Sequence, residues 1–270
     1  MLDIQSPILI GSLASLAAGL ATGVGASPIL LFAPPSEERQ RSLLGFAAGV
    51  MLAASFFSLI LPGVEVLQEQ GASTSASAAM MAVAVLLGAL AIAALNRFAP
   101  VDHLTVGPAG REAGVVRRVW LFILAVTLHN FPEGMAVGVS FGGGDMQQGL
   151  ATAIGIGLQN IPEGLAVAVS LATVGYSRGQ CFAGGLASGL VEPLGGLFGV
   201  TLVYAVQAAL PWGLGFSAGA MIYVVAAEII PLCQPRQPAG DCAPGREGEK
   251  PILSLIVGLV GMMFLDISLG

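Results

Sequence analysis

Charge is scarce in this chain: 10 Lys and Arg and 16 Asp and Glu make up 10% of 270 residues, against about 25% in an ordinary soluble domain. That scarcity excludes a water-soluble globular protein. The shortage of basic residues, a net charge of −6 and a pI near 4.8 exclude the basic patch a nucleic-acid partner needs. What is abundant is apolar and small. Hydrophobic residues reach 55%, glycine alone contributes 38 residues, and the mean hydropathy is +0.86. The chain reads as a polytopic membrane protein with a single membrane domain.

A bilayer core of about 30 Å is crossed by about 20 apolar helical residues. Eight stretches of that order are present: Pro7 to Ala33, Leu43 to Leu67, Ser77 to Leu95, Val119 to Gly142, Gln148 to Val174, Gly179 to Leu210, Trp212 to Cys233 and Pro251 to Leu269. The first has no basic residue ahead of it and is too long for a signal-peptide core, so it is expected to stay as a helix. Basic residues settle the orientation. Arg39 and Arg41, then Arg97, Arg111, Arg117 and Arg118, then Arg178, then Arg236, Arg246 and Lys250 occupy the odd-numbered connections, and the other connections and both termini hold none. Because Lys and Arg are retained inside, the odd connections face the cytoplasm and both termini face outward. The longest connections, 96–118 and 234–250, are then cytoplasmic. Cys181, Cys233 and Cys242 lie at or near that side, where thiols stay reduced; Cys233 and Cys242 could touch metal but read more readily as unused thiols.

Ten of the 16 acids lie in loops or chain ends, and Glu65 and Asp266 lie near the outer ends of their spans. Glu133, Glu163, Glu192 and Glu228 fall inside the membrane, where each costs roughly 2.5–3.5 kcal/mol at a helix centre. No Lys or Arg lies at matching depth, so the counter-charge must come from protons, water or a cation. Spacing favours the cation. His129 and Glu133 are four apart, on one helix face, and Gln159 and Glu163 repeat the pattern. The stretch from His129 to Ser140 aligns with that from Gln159 to Ser170 at an offset of 30, with eight of twelve positions identical, so two antiparallel spans carry one motif to the same depth. Glu192 opens Glu192-Pro193-Leu194-Gly195-Gly196 at a similar level. Pro132, Pro162 and Pro193 cannot donate and free the carbonyls of Leu128, Leu158 and Gly189, which a bilayer tolerates only against protein or a water-lined cavity. Carbonyls and carboxylates converging at mid-membrane recur in transporter ion sites. Imidazole, carboxylate and amide oxygen suit a borderline divalent metal, and a thioether from Met51 shifts the preference toward softer ions. Taken singly, Met51 reads as packing, and Gln159 and Asn160 read equally as helix-joining amides or as ligands.

His-Asn-Phe-Pro-Glu-Gly, then Gln-Asn-Ile-Pro-Glu-Gly, then Val-Glu-Pro-Leu-Gly-Gly resemble the ZIP (Zrt/Irt-like) metal transporters, in the GufA-like branch. The resemblance spans nearly the whole chain. It implies an all-α bundle of eight transmembrane helices with inverted three-helix repeats around a central helix pair, in which transport slides one helix group against another and homodimers are common. It further implies a first metal site from Met51, His129, Glu133, Gln159 and Glu163, and a second from Asn130, Glu133, Asn160, Glu163 and Glu192 with Glu133 and Glu163 bridging. The sequence departs from the commoner pattern at Gln159-Asn160 and Glu163-Gly164, and the charge missing at Asn160 weakens the second site. The cytoplasmic loop holding Asp102, His103 and Glu112 is not His-rich, which argues against metal sensing there.

The implied activity is transport of divalent transition metals toward the cytoplasm, zinc first, with cadmium, iron and manganese as further candidates, in a bacterial inner membrane. The metal is substrate and no cofactor is expected. Glu65, Asp145 and Asp266 are candidates for the outer mouth, with solvated helix ends as the alternative; Glu228 reads equally as structural or as part of the way out. Two other classes compete. An intramembrane metal-dependent hydrolase would use the same ligand types, but no His-Glu-x-x-His is present and only one histidine lies in the membrane. A proton or monovalent-cation pathway would need the carboxylates but neither His129 nor Met51.

Overall fold

The computed structural model describes residues 6–98, 113–233 and 249–269; Asp102, His103, Glu112 and Cys242 lie outside them. The described residues are helical over most of each predicted span. Helix α1 is Pro7–Ala26, α3 is Thr74–Phe98, α4 is Ala113–Gly142, α5 is Met146–Thr173 and α8 is Glu249–Leu269. Three others are interrupted. α2 comprises Glu37–Ala53, a π-helical stretch Ala54–Ile60, and Leu61–Glu69; α6 is divided into Arg178–Gly189 and Glu192–Ala205; α7 comprises Leu210–Val224, a π-helical stretch Val225–Ile229, and Ile230–Cys233. Eight helices among the described residues are long and apolar enough to cross a membrane.

Local chemistry explains where the helices depart from the predicted limits. Ser27-Pro28 converts the end of α1 into a 3-10 turn ending at Leu30, short of Ala33. α2 starts at Glu37 because a helix need not stop where its apolar part does. α6 ends at Ala205, where Val206 turns extended, and Pro211 opens α7 at a position that needs no donor. Asp145 caps α5 by accepting from the backbone of Gln147 and Gln148 at 2.9 and 3.1 Å. α4 and α5 stay helical through Pro132 and Pro162.

The closest helix pairs are α4 with the second half of α6, α1 with α5, α2 with α8 and α3 with α7. Glycines set these approaches. A Cβ on Gly134, Gly138, Gly195 or Gly199 would come within 3 Å of backbone across the α4–α6 contact, and one on Gly25 or Gly164 would do so across α1–α5. Gly45, Gly49 and Gly258 serve α2–α8, and Gly88 and Gly219 serve α3–α7. Two four-helix groups follow: α1, α4, α5 and α6, and α2, α3, α7 and α8. Between the groups, α2 packs on α5 and α4 on α7, and the glycines there meet side chains: Gly155 meets Met262, and Gly213 meets Val139.

These contacts also expose an internal repeat. Gly25 abuts the Ile161 carbonyl as Gly195 abuts that of Phe131; Gly164 abuts Thr22 as Gly134 abuts Glu192. In the other group, Gly49 meets Leu255 as Gly219 meets Val85, and Gly258 meets Phe46 as Gly88 meets Phe216. Each correspondence relates α1–α3 to α6–α8 by an offset of 170 and α4 to α5 by 30. Gly19 and Gly189, 170 apart, press on each other's carbonyls. The outer repeat is present in the sequence too: Gly-Phe-Ala-Ala-Gly-Val-Met at 45–51 answers Gly-Phe-Ser-Ala-Gly-Ala-Met at 215–221. Both π-helical stretches fall on repeat-related helices, α2 and α7.

Candidate metal site

The motif helices α4 and α5 lie against each other, with α1 and the break in α6 packed on them. Asn130, Glu133, Gln159, Asn160, Glu163 and Glu192 are each at most 2% exposed, although none of these residue types is at home in a core. Their nitrogen donors are committed to protein. Gln159 Nε2 donates to Glu133 Oε1 across α4 and α5. Asn130 Nδ2 donates to the Ser188 carbonyl at 2.8 Å, and Asn160 Nδ2 donates to the Ala18 carbonyl at 2.8 Å and to Glu192 Oε1 at 2.7 Å. Ser15 Oγ donates to the Glu192 carbonyl at 2.7 Å.

This spending of donors leaves an excess of oxygen. The buried amide oxygens of Asn130, Gln159 and Asn160 have no hydrogen-bond partner among the described residues. Buried acceptors in that condition are rare, because desolvation is then uncompensated. Gln159, bonded to Glu133, brings one such oxygen to that carboxylate, and oxygens that accept are what a hard or borderline cation requires. The break in α6 is held at both sides: Asn130 takes the carbonyl of Ser188 just before it, and Ser15 and Asn160 take the carbonyl and carboxylate of Glu192 just after it. Glu192 sits in the first turn of the second half with Pro193 beside it. Its repeat counterpart is Thr22, so the third acid has no equivalent on α1.

The glycine of each Pro-Glu-Gly also has a packing reason. Gly134 and Gly164 are the places where the carbonyls of Glu192 and Thr22 press on the turn that carries Glu133 or Glu163, so the acid-bearing turns lie directly against α6 and α1. Met51 is fully buried on α2, as is its repeat counterpart Met221 on α7. His129 lies within α4 and Glu228 within the π-helical stretch of α7; their side chains lie outside the described residues. Cys181 and Cys233 are buried and free.

A chain 40% identical over 260 residues, covering 96% of this sequence and 99% of its own, is the zinc transporter GufA of Myxococcus xanthus. The zinc transporter ZIPB of Bordetella bronchiseptica is 44% identical over 259 residues, 94% of this chain and 80% of that one. The sequence model described as ZIP zinc transporter matches residues 107–267. The chain belongs to the ZIP family. This ZIP protein is also 32% identical over 333 residues to the human zinc transporter ZIP11, covering 92% of one chain and 94% of the other. The family consists of transporters, so the hydrolase reading falls and a metal is cargo, not cofactor.

This ZIP chain gathers the three acids expected at the outer mouth in one place. A cavity of about 600 Å³ is lined by Glu65, Asp145 and Asp266 together with Glu69, Ser58 and Gln148. Ser58 donates its hydroxyl to Asp266, and Gln148 Nε2 donates to the Ser58 carbonyl at 3.1 Å. Ser58 and Gln148, polar residues in apolar helices, were the available signal for this cluster. It lies where α2 and α8 of one group face the start of α5 of the other.

Proposed function

We propose that the protein carries zinc, and with it cadmium, iron(II) or manganese, from the outside to the cytoplasm through a site at mid-membrane. His129, Glu133, Gln159 and Glu163 hold the ion, with Met51 as thioether, and Asn130, Asn160 and Glu192 border it. The observation that carries the reading is the buried cluster of amide and carboxylate oxygens whose neighbouring nitrogens are already bonded to protein. The names of GufA, ZIPB and ZIP11 support zinc. All ten basic residues fall in the odd-numbered connections, which supports a plasma-membrane orientation with both termini outside.

The ion enters through the cavity of Glu65, Asp145 and Asp266 and leaves past Glu228. Glycine-to-backbone contacts bind each four-helix group internally, while side chains line the contact between groups, which supports movement of one group along the other. Protons compete for the same ligand atoms, so apparent affinity falls in acid.

The test is saturable uptake into proteoliposomes, comparing zinc, cadmium, manganese and iron(II). Zinc uptake that saturates and is inhibited by cadmium is expected; a proton or sodium flux indifferent to these metals would replace this reading. In the same assay Asp266→Asn is expected to raise the half-saturating zinc concentration about 3- to 10-fold with little change in maximal rate, because loss of an outer charge lowers local cation concentration without touching the bound ion. A fall in maximal rate alone would remove Asp266 from the route.

A further inference from the structure

Asn130 and Asn160 occupy equivalent positions of the 30-residue repeat and make equivalent bonds. Asn130 Nδ2 reaches the carbonyl of Ser188 and Asn160 Nδ2 that of Ala18, which are themselves 170 apart. The shared task of these amides is to anchor α4 to α6 and α5 to α1. Asn160 alone has a second task. Its nitrogen is also 2.7 Å from Glu192 Oε1, and an amide nitrogen carries two hydrogens and no acceptor. A cation cannot occupy the space between an N–H donor and the oxygen it already holds at that distance.

We propose that Asn160 is a positioning residue whose amide nitrogen ties Glu192 to α1 in the place a second cation would take, so that this protein carries one ion at a time through its mid-membrane site. The inference rests on the transport site proposed above. An acid at position 160 would have the opposite consequence. Two carboxylates at hydrogen-bond distance, buried and without a donor between them, cannot both stay ionised unless a cation or proton joins them. Asn160 supplies the joining hydrogen from within the chain. Glu192 is thereby held from within the chain.

The experiment counts ions. Zinc bound to the full chain in lipid nanodiscs is measured by equilibrium dialysis, and binding that survives in Glu133→Ala/Glu163→Ala is subtracted so that outer or adventitious sites do not contribute. One zinc per wild-type chain and two per Asn160→Asp chain are expected. Cadmium should follow the same change. Two ions in the wild type, or one in a folded Asn160→Asp protein, would overturn the proposal while leaving the transport site standing. No carboxylate-dependent zinc in the wild type would overturn the transport site itself, and this inference with it. The wild-type count decides even if Asn160→Asp does not fold.

Discussion

Glu163→Ala lowers zinc uptake into proteoliposomes by about two to three orders of magnitude while the yield of folded protein is maintained or rises. The two halves of this expected result have one cause. Removing a partner from a buried charged pair costs about 3–5 kcal/mol, and in the proposed site the other partner is the ion. Burying a carboxylate inside a bilayer costs roughly 2.5–3.5 kcal/mol, a cost the alanine variant does not carry. A residue retained for structure would show the reverse, with stability falling first. Glu163→Gln separates charge from shape, because it keeps the volume and one acceptor oxygen but drops the negative charge. It should behave as Glu163→Ala does in flux. Wild-type uptake by either variant would remove Glu163 from the site.

Gly164→Ala is expected to fail differently, through assembly. The added methyl would lie within 3 Å of the Thr22 carbonyl, and backbone in a helix cannot swing aside as a side chain can. α1 and α5 would have to separate, breaking the Asn160 bond to Ala18 four residues from the substitution. Overpacking of a well-filled core costs about 1–3 kcal/mol, sometimes more. The readout is monodispersity and thermal stability in detergent. Gly155→Ala is the comparison, because there the methyl would meet only the flexible end of Met262, across the contact between the two helix groups. Wild-type stability in Gly164→Ala, or equal losses in both variants, would contradict the picture of two groups each locked through glycine.

The Pro-Glu-Gly pairs show how far one-dimensional reading reaches. Their similarity at an offset of 30, and the lack of any basic residue at their depth, already point to a cation at mid-membrane. The reason for the glycine is invisible at that level, because the carbonyl pressing on Gly134 belongs to Glu192, 58 positions later. The offset of 170 is hard to see in the sequence for a related reason. Outside 45–51 and 215–221 the repeat survives mostly as places where backbones touch, since lipid-facing positions need only be apolar and so diverge freely.

Asn160 carries the same lesson. Its position beside Gln159 and its lost charge could be read directly, but the atom it turns toward Glu192 could not. Likewise Glu65, Asp145 and Asp266 are legible as acids at or near span ends, whereas their shared cavity with Glu69 depends on how α2, α5 and α8 converge. Nothing in the composition of Ala54–Ile60 or Val225–Ile229 announces a π-helical turn.

The sequence by itself determined the eight spans, the connections in which the basic residues gather, and the acids buried within spans, because hydropathy, positive charge and desolvation cost each act residue by residue. Tertiary structure alone decided which donors are already spent, which buried amide oxygens stay unbonded among the described residues, and which helices pack backbone to backbone. Those depend on distances between backbones that only glycine permits, and a distance between residues far apart in the chain is a property of the packed molecule.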